Sequence, residues 1–271
     1  MMDQPLTAST DELLYEVRDG IGRITFNRPQ ARNALTFAMY ERLAEICTEV
    51  AASAGRDGAV RALLLTGAGD RAFAAGTDIS QFRAFETGDD ALAYEARIDR
   101  VLGALEACPV PTVAAIAGAC TGGGAGIAAC CDLRVGSASL RFGFPIARTL
   151  GNCLSMGNYT RLVALIGPAR VKEIVFTSRL IEAEEARAVG LVSEVLPDHA
   201  ALLARAEALA QLVASQAPLT LRATKEAMRR IRLRMQPEES HDLVLMCYTS
   251  ADFREGMDAF LGKRAPVWRG V

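Results

Sequence analysis

The chain has 271 residues, 30 Lys and Arg against 32 Asp and Glu, and a formal net charge of -2. That length supports one large domain with a sizeable core, and the near-balance of charge argues against a general nucleic-acid binder, which needs a clear excess of cations. With 51% hydrophobic but only 6% aromatic residues the core must be built from Ala, Val, Leu and Ile, and with Gly 23 and Pro 10 the chain is neither collagen-like nor low in complexity.

Leu13 to Arg18 and Ile21 to Asn27 read as two strands joined at Asp19-Gly20, a type I′ hairpin signal, and Asn27-Arg28-Pro29 breaks the second. From Thr36, the apolar residues Met39, Leu43, Ile46 and Val50 recur at helical spacing as far as Gly55. Val60 to Thr66 is a short apolar run before Gly67, as a buried strand requires. A polar helix over Ala91 to Glu106 precedes a second buried run, Thr112 to Ala117. Ala107 to Cys131 carries no charge over 25 residues, which is long enough for a bilayer. Pro109, Pro111 and Gly122-Gly123-Gly124 interrupt it, so a buried strand followed by a buried helix is expected, and no membrane span.

Asp132-Leu133-Arg134-Val135 reads as another short strand. From Ser155 onward helices dominate: Gly167-Pro168 sets Pro at a helix start, and Glu182 to Val189, His199 to Ala214 and Leu221 to Met235 follow. Arg222, Lys225, Arg229, Arg230, Arg232 and Arg234 on the last of these read as the solvated face of an amphipathic helix, with Leu221, Met228, Ile231 and Met235 on the buried side. A phosphate-binding face is the sharper alternative. The expected organisation is an α/β core over 1-200 and a helical region over 201-271.

The seven cysteines, Cys47, Cys108, Cys120, Cys130, Cys131, Cys153 and Cys247, form no C-x-x-C pair, and the two histidines, His199 and His241, stand apart from them. No metal site is expected. Thiols in apolar settings read as small hydrophobes in a reducing compartment, hence the cytoplasm. Met1 to Asp11 has neither a basic n-region nor an apolar h-region, so no signal peptide is expected.

No G-x-G-x-x-G follows a strand, and neither a phosphate-binding P-loop nor a G-x-S-x-G nucleophile elbow occurs. Two glycine-rich turns remain. Phe73-Ala74-Ala75-Gly76-Thr77-Asp78 comes after the Val60 strand, and Gly122-Gly123-Gly124-Ala125-Gly126 after the Thr112 strand. At the carboxyl ends of neighbouring parallel strands, such turns place two backbone N–H donors around one carbonyl oxygen, an oxyanion hole. The plainer alternative is that the glycines permit close helix–strand packing.

Asn27-Arg28-Pro29-Gln30-Ala31-Arg32-Asn33-Ala34-Leu35, Ala72 to Ile79, Ala115-Ile116-Ala117-Gly118 leading to the Gly122 cluster and Cys131-Asp132-Leu133, Phe142-Gly143-Phe144-Pro145, and Phe253 to Arg264 occur in the order and spacing of the crotonase (enoyl-CoA hydratase/isomerase) superfamily, which the chain resembles from roughly residue 13 to 269. The resemblance implies a spiral of ββα units with C-terminal helices that assemble a homotrimer or a dimer of trimers. It also implies an acyl-coenzyme A thioester as substrate, with no cofactor beyond that coenzyme A. By motif position the thioester oxygen would sit between the N–H groups of Thr77 and Gly123. Ala75, Gly76, Asp78, Ile79 and Gly122 would belong to the coenzyme A cradle, Gln30-Ala31-Arg32 would lie along its nucleotide end, and Lys263 would reach its phosphates, often from a neighbouring subunit. Ser80 stands where many relatives carry Lys.

Relatives that hydrate 2-enoyl-CoA use two glutamates, and their slots here are Gly126 and Ile146, the latter followed by Ala147. The resemblance therefore implies an enzyme that polarises a thioester, nominally a hydratase with rewired acid–base residues. An isomerase, a decarboxylase or a non-catalytic acyl-CoA binder are the alternatives. Arg148, Thr149, Asn152 and Cys153 occupy the altered loop near the second slot. Asp78 is expected to cap the following turn, Asp132 to be a satisfied core carboxylate, and His199 and His241 to be surface or packing residues.

Overall fold

A computed structural model describes residues 11–56, 58–235 and 240–271. Met1 to Thr10, most of the stretch read for a targeting signal, lie outside the described residues. β1 (Leu13–Arg18) and β2 (Ile21–Phe26) form an antiparallel hairpin, with Asp19 and Gly20 at φ 53° and 74°. Both central residues are left-handed, as a type I′ turn demands. α1 (Phe37–Ser53) begins where the Thr36 hydroxyl accepts the N–H of Met39.

β3 (Ala62–Gly67) then starts a repeating pattern: a longer strand in one sheet, a short strand in a second, and a helix. β3 is followed by β4 (Ala72–Ala75) and α2 (Gly88–Ala107), then β5 (Thr112–Ile116) by β6 (Ala119–Thr121) and α3 (Gly123–Cys130). The third round is β7 (Leu133–Ser137), β8 (Arg141–Gly143) and α4 (Ile146–Thr149). α5 (Met156–Thr177), β9 (Ile181–Glu182), α6 (Ala183–Ala188) and β10 (Glu194–Leu196) close the sheets. The larger has the order β1-β2-β3-β5-β7-β10 and is parallel from β2 onward; the smaller has the order β4-β6-β8-β9. This is the spiral of ββα units that the resemblance implies, with a helical C-terminal region, α7 (His199–Ala214), α8 (Pro218–Leu233), α9 (His241–Tyr248) and α10 (Ala251–Leu261).

The larger sheet is covered on both faces. Leu63, Leu65, Ala114 and Ile116 face the main core, while Ala62, Leu64, Val113 and Ala115 face Leu202, Ala206 and Ala210 of α7. Two covered faces remove the polar alternation, which is why these strands read as continuous apolar runs. The uncharged stretch from Ala107 folds as β5, β6 and α3, and no helix among the described residues is long and apolar enough to cross a membrane. α5 breaks at Gly167 (φ 76°), and Pro168 starts its second half, as the sequence suggested.

The expected faces of α8 hold only in part: Arg222, Arg230 and Arg234 are exposed, but two other cations turn inward and the apolar side chains outward. Arg232 is buried, bonded to Glu106 and to Thr160 Oγ1, and Lys225 reaches Asp132 Oδ2 at 2.7 Å, whereas Met228, Ile231 and Met235 are exposed. Carboxylates supplied by distant elements give the inward cations partners, so this helix docks through its charges. Asp132 also accepts the N–H and hydroxyl of Thr112, which makes it the satisfied carboxylate expected.

Candidate active site

The short sheet positions the site. β4 and β6 run parallel with Ala75 beside Thr121, and each strand then ends in a glycine turn, Gly76 at φ 98° and Gly122 at φ 52°. A Cβ added to Gly122 would lie 3.4 Å from the Gly76 Cα, close to ordinary contact, so it is the positive φ at both positions that favours glycine in these two turns. Beyond Gly76, a parallel bridge pairs Thr77 with Leu35. It uses the Gly76 carbonyl, which accepts from Leu35 N–H, and the Asp78 N–H, which donates to Leu35 (2.8 Å each). Backbone groups alternate along a strand, so the N–H of Thr77 points to the other edge, that of β6 and α3. Gly123 is the first residue of α3, and its N–H is among those a helix start leaves unpaired, at the positive end of the helix dipole.

Both residues line a cavity of about 170 Å³ together with Ala75, Gly76, Ile79 and Gly122. The structure thus brings six of the sequence-selected residues to one surface. The Thr77 hydroxyl is fixed by two phenols, Tyr40 and Tyr94, each at 3.0 Å, and burial raises the pKa of both so that they stay protonated.

Gln30 and Ala31 lie in a 3-10 turn (Pro29–Ala31), and Arg32 follows at φ 50°. This loop is fastened to β4: Ala75 N–H donates to the Arg32 carbonyl at 3.0 Å, and the buried Asn33 amide donates to Ala72 O at 2.7 Å. The Gln30 and Arg32 side chains are exposed, off the cavity wall. Asp78 accepts the Arg28 guanidinium at 3.0 Å and the Ser80 N–H and hydroxyl at 3.2 and 2.7 Å. Partial burial works to raise its pKa, but these donors outweigh burial and lower it, so Asp78 is an ionised cap and strut. Lys263 is exposed beyond α10 and is not part of the cavity lining, although Phe260, three residues earlier, is.

Gly126 and Ile146 also line the cavity. In the loop after Pro145, Thr149 donates to the Pro145 carbonyl, Arg148 is exposed, and Asn152 and Cys153 face the cavity. A hydrogen bond with Cys247, together with burial, raises the Cys153 pKa, and its Sγ donates to Leu243 O at 3.4 Å. Cys153 is a thiol here, not a thiolate.

Sequence reasoning missed Glu95. It lies on α2, is 8% exposed, and lines the same cavity. The Tyr248 hydroxyl donates to Glu95 Oε1 at 2.6 Å and accepts from the Asn152 amide at 3.2 Å. Burial pushes the carboxyl pKa up to about 7. A local signal existed: Glu95 shares a helical face with Ala91, Ile98 and Leu102, so it is a carboxylate inside an apolar stripe.

The enoyl-CoA hydratase/isomerase family model matches residues 16–271. The chain belongs to that family. It is 34% identical over 258 residues to the crotonyl-CoA hydratase of Syntrophomonas wolfei, covering 94% of this chain and 96% of that one. To the short-chain-enoyl-CoA hydratase of Clostridium acetobutylicum it is 31% identical over 261 residues, with 94% and 96% covered. The crystal structure of an enoyl-CoA hydratase/carnithine racemase from Magnetospirillum magneticum superposes with a TM-score of 0.77 at 33% identity, covering 97% of each chain. In this enoyl-CoA hydratase/isomerase family chain, Glu95 is the sole carboxyl among the described residues lining the cavity.

Proposed function

We propose that the protein is an acyl-CoA enzyme that binds its thioester carbonyl between the N–H groups of Thr77 and Gly123 and carries its substrate through an enolate. The observation that carries this reading is the meeting of the two glycine turns on one cavity wall, with the N–H of Thr77 directed toward α3 and that of Gly123 at a helix start. Two fixed donors stabilise an oxyanion better than the carbonyl it came from, and each is worth about 10²–10³-fold in rate. The thioester's α-carbon is thereby acidified, which serves isomerisation, decarboxylation and hydration alike. The loop over Gln30-Ala31-Arg32, tied to β4 beside the cavity, is suited to the nucleotide end of coenzyme A.

Of these reactions, hydration by paired glutamates is the least supported, since Gly126 and Ile146 supply no carboxyl to the cavity. The test is the absorbance of a conjugated dienoyl-CoA titrated with protein. Polarisation of its carbonyl shifts the band to longer wavelength on binding, and the shift should shrink in Gly123→Ala. Saturable binding with an unshifted band would leave a thioester binder without an oxyanion hole.

A further inference from the structure

Resting on the thioester reading above, we infer that Glu95 is the proton-carrying residue of this cavity, and that Tyr248 positions its carboxyl. The sequence slots that hold acids in hydrating relatives face the cavity with glycine and isoleucine. A carboxyl nonetheless enters the same space from another element, α2. The helix also carries Tyr94, whose hydroxyl bonds the Thr77 side chain, so one rigid element supports both the proton carrier and the carbonyl site.

The surroundings of Glu95 are those of a base kept in reserve. Tyr248 from α9 donates to it, and Asn152 holds that phenol in place. The other titratable groups that face it are Tyr40 from α1, Tyr94 and Asp99 on its own helix, Cys153 from the loop before α5, and Tyr159 from α5. None of these is a cation, and among the described residues no Arg or Lys pairs with Glu95. An acid serving only to hold the fold would be expected to carry a cationic partner, as Glu106 does with Arg161 and Arg232. Its raised proton affinity leaves both protonation states accessible near neutrality, where a general base is most effective.

The step balances with one carboxyl. The Glu95 carboxylate takes a proton from the α-carbon, and the C–H electron pair becomes the carbon–carbon double bond of the enolate, whose oxygen rests on the Thr77 and Gly123 N–H groups. With a 3-enoyl thioester the oxygen's electron pair then restores the carbonyl, the enolate's carbon–carbon pair becomes the α,β double bond, and the electrons of the β,γ double bond take the proton back from Glu95 at the γ-carbon. The product is the 2-enoyl isomer, and no water or second acid is consumed.

The experiment is deuterium uptake at the α-carbon of butyryl-CoA in D2O, followed by mass spectrometry, with binding measured in parallel by calorimetry. Butyryl-CoA has no double bond to move or hydrate, so exchange reports the proton transfer alone. The wild-type protein should bind it and exchange; Glu95→Gln should bind it and exchange at least about 100-fold more slowly. Exchange by the wild type should rise with pH through the ionisation of Glu95 and then level off. Tyr248→Phe removes a hydrogen bond to the charged form, so its midpoint must move to higher pH, which a merely structural tyrosine would not cause. Exchange kept within about tenfold in Glu95→Gln overturns the assignment, as does a wild type that binds butyryl-CoA without exchange, or a Tyr248→Phe midpoint that stays put. No binding of butyryl-CoA by the wild type instead removes the thioester reading, and the role of Glu95 with it.

Discussion

The cavity wall made by Gly76–Thr77 and Gly122–Gly123 presents backbone, whereas the wall made by α2 and the loop before α5 presents side chains. The first works through N–H groups that strand pairing and a helix start have aimed, so it is indifferent to most side chains but intolerant of an added Cβ at its glycines. The second works through Glu95 and Asn152, with Tyr248 behind them, so it can be altered atom by atom with little effect on the fold. The difference teaches where to look for chemistry in such a chain: donors are fixed by topology, while proton carriers are free to arrive from any helix that reaches the cavity.

The hardest way to break the backbone wall is Gly124→Ala. A Cβ there would lie 2.2 Å from the Ala74 carbonyl oxygen in β4, and neither backbone can yield without separating α3 from the sheet. A loss of about 3 kcal/mol is expected in chemical denaturation. Gly126, two residues on, is the contrast: a Cβ meets Asn158 Oδ1 and Leu102 only at 3.4 and 3.5 Å, so Gly126→Ala should fold with near-normal stability. Equal losses at the two positions would show that the helix, not the contact with β4, sets the requirement.

On the side-chain wall the largest effect depends on pH. The carboxyl of Glu95 has an ordinary pKa of 4.5 and about 7 in the fold, so the folded state holds its proton more tightly than the unfolded chain. Between those values the native state binds more protons, and stability falls as pH rises from about 4.5 to about 7. Glu95→Gln removes the titration. It should therefore be about 2–3 kcal/mol more stable than the wild type at pH 8, and similar to it below pH 4.5. Urea denaturation at both pH values checks this; a variant less stable at pH 8 would mean that the charged carboxylate contributes to the fold. A gain in stability alongside lost proton exchange is the pattern expected of a group kept for chemistry.

The two glycine turns of the backbone wall meet at Tyr40 of α1. Its hydroxyl bonds Thr77 Oγ1, and a Cβ on Gly123 would sit 1.9 Å from the same oxygen. Gly123→Ala should thus cost about 1–2 kcal/mol, since the phenol is a movable tip on a buried ring. Adding Tyr40→Phe, which deletes that oxygen, should recover about half of the loss. Additive losses in the double variant would place the strain elsewhere in α3.

These contrasts also explain what was legible in the sequence. β3, β5 and β7 announce themselves because both faces are covered, but β4, β6, β8 and β9 have four residues or fewer, too short for any period, and exist only through their pairing. Thr77 and Gly123 were picked out by their place in the family's motifs, and the glycines around them mark a close backbone approach. Glu95 left only one mark, a charge within an apolar stripe. The inward turn of Arg232 and Lys225 left none, because their partners lie 126 and 93 residues away.

The smallest effect concerns the one charged strut of the backbone wall. Arg28 bridges Asp78 and Glu12, and Asp78 caps the turn that follows Thr77. Asp78→Asn keeps an oxygen for the Ser80 N–H but loses the charge on Arg28, a partly exposed pair worth about 1 kcal/mol. Because the folded pKa of Asp78 lies below its ordinary 3.8, this contribution is present above that value and lost as pH falls through the folded pKa. The variant should therefore be less stable than the wild type at pH 7, and the two should converge in acid. A constant difference across the whole range would mean that the hydrogen bonds of Asp78, and not its charge, hold the turn beside Thr77.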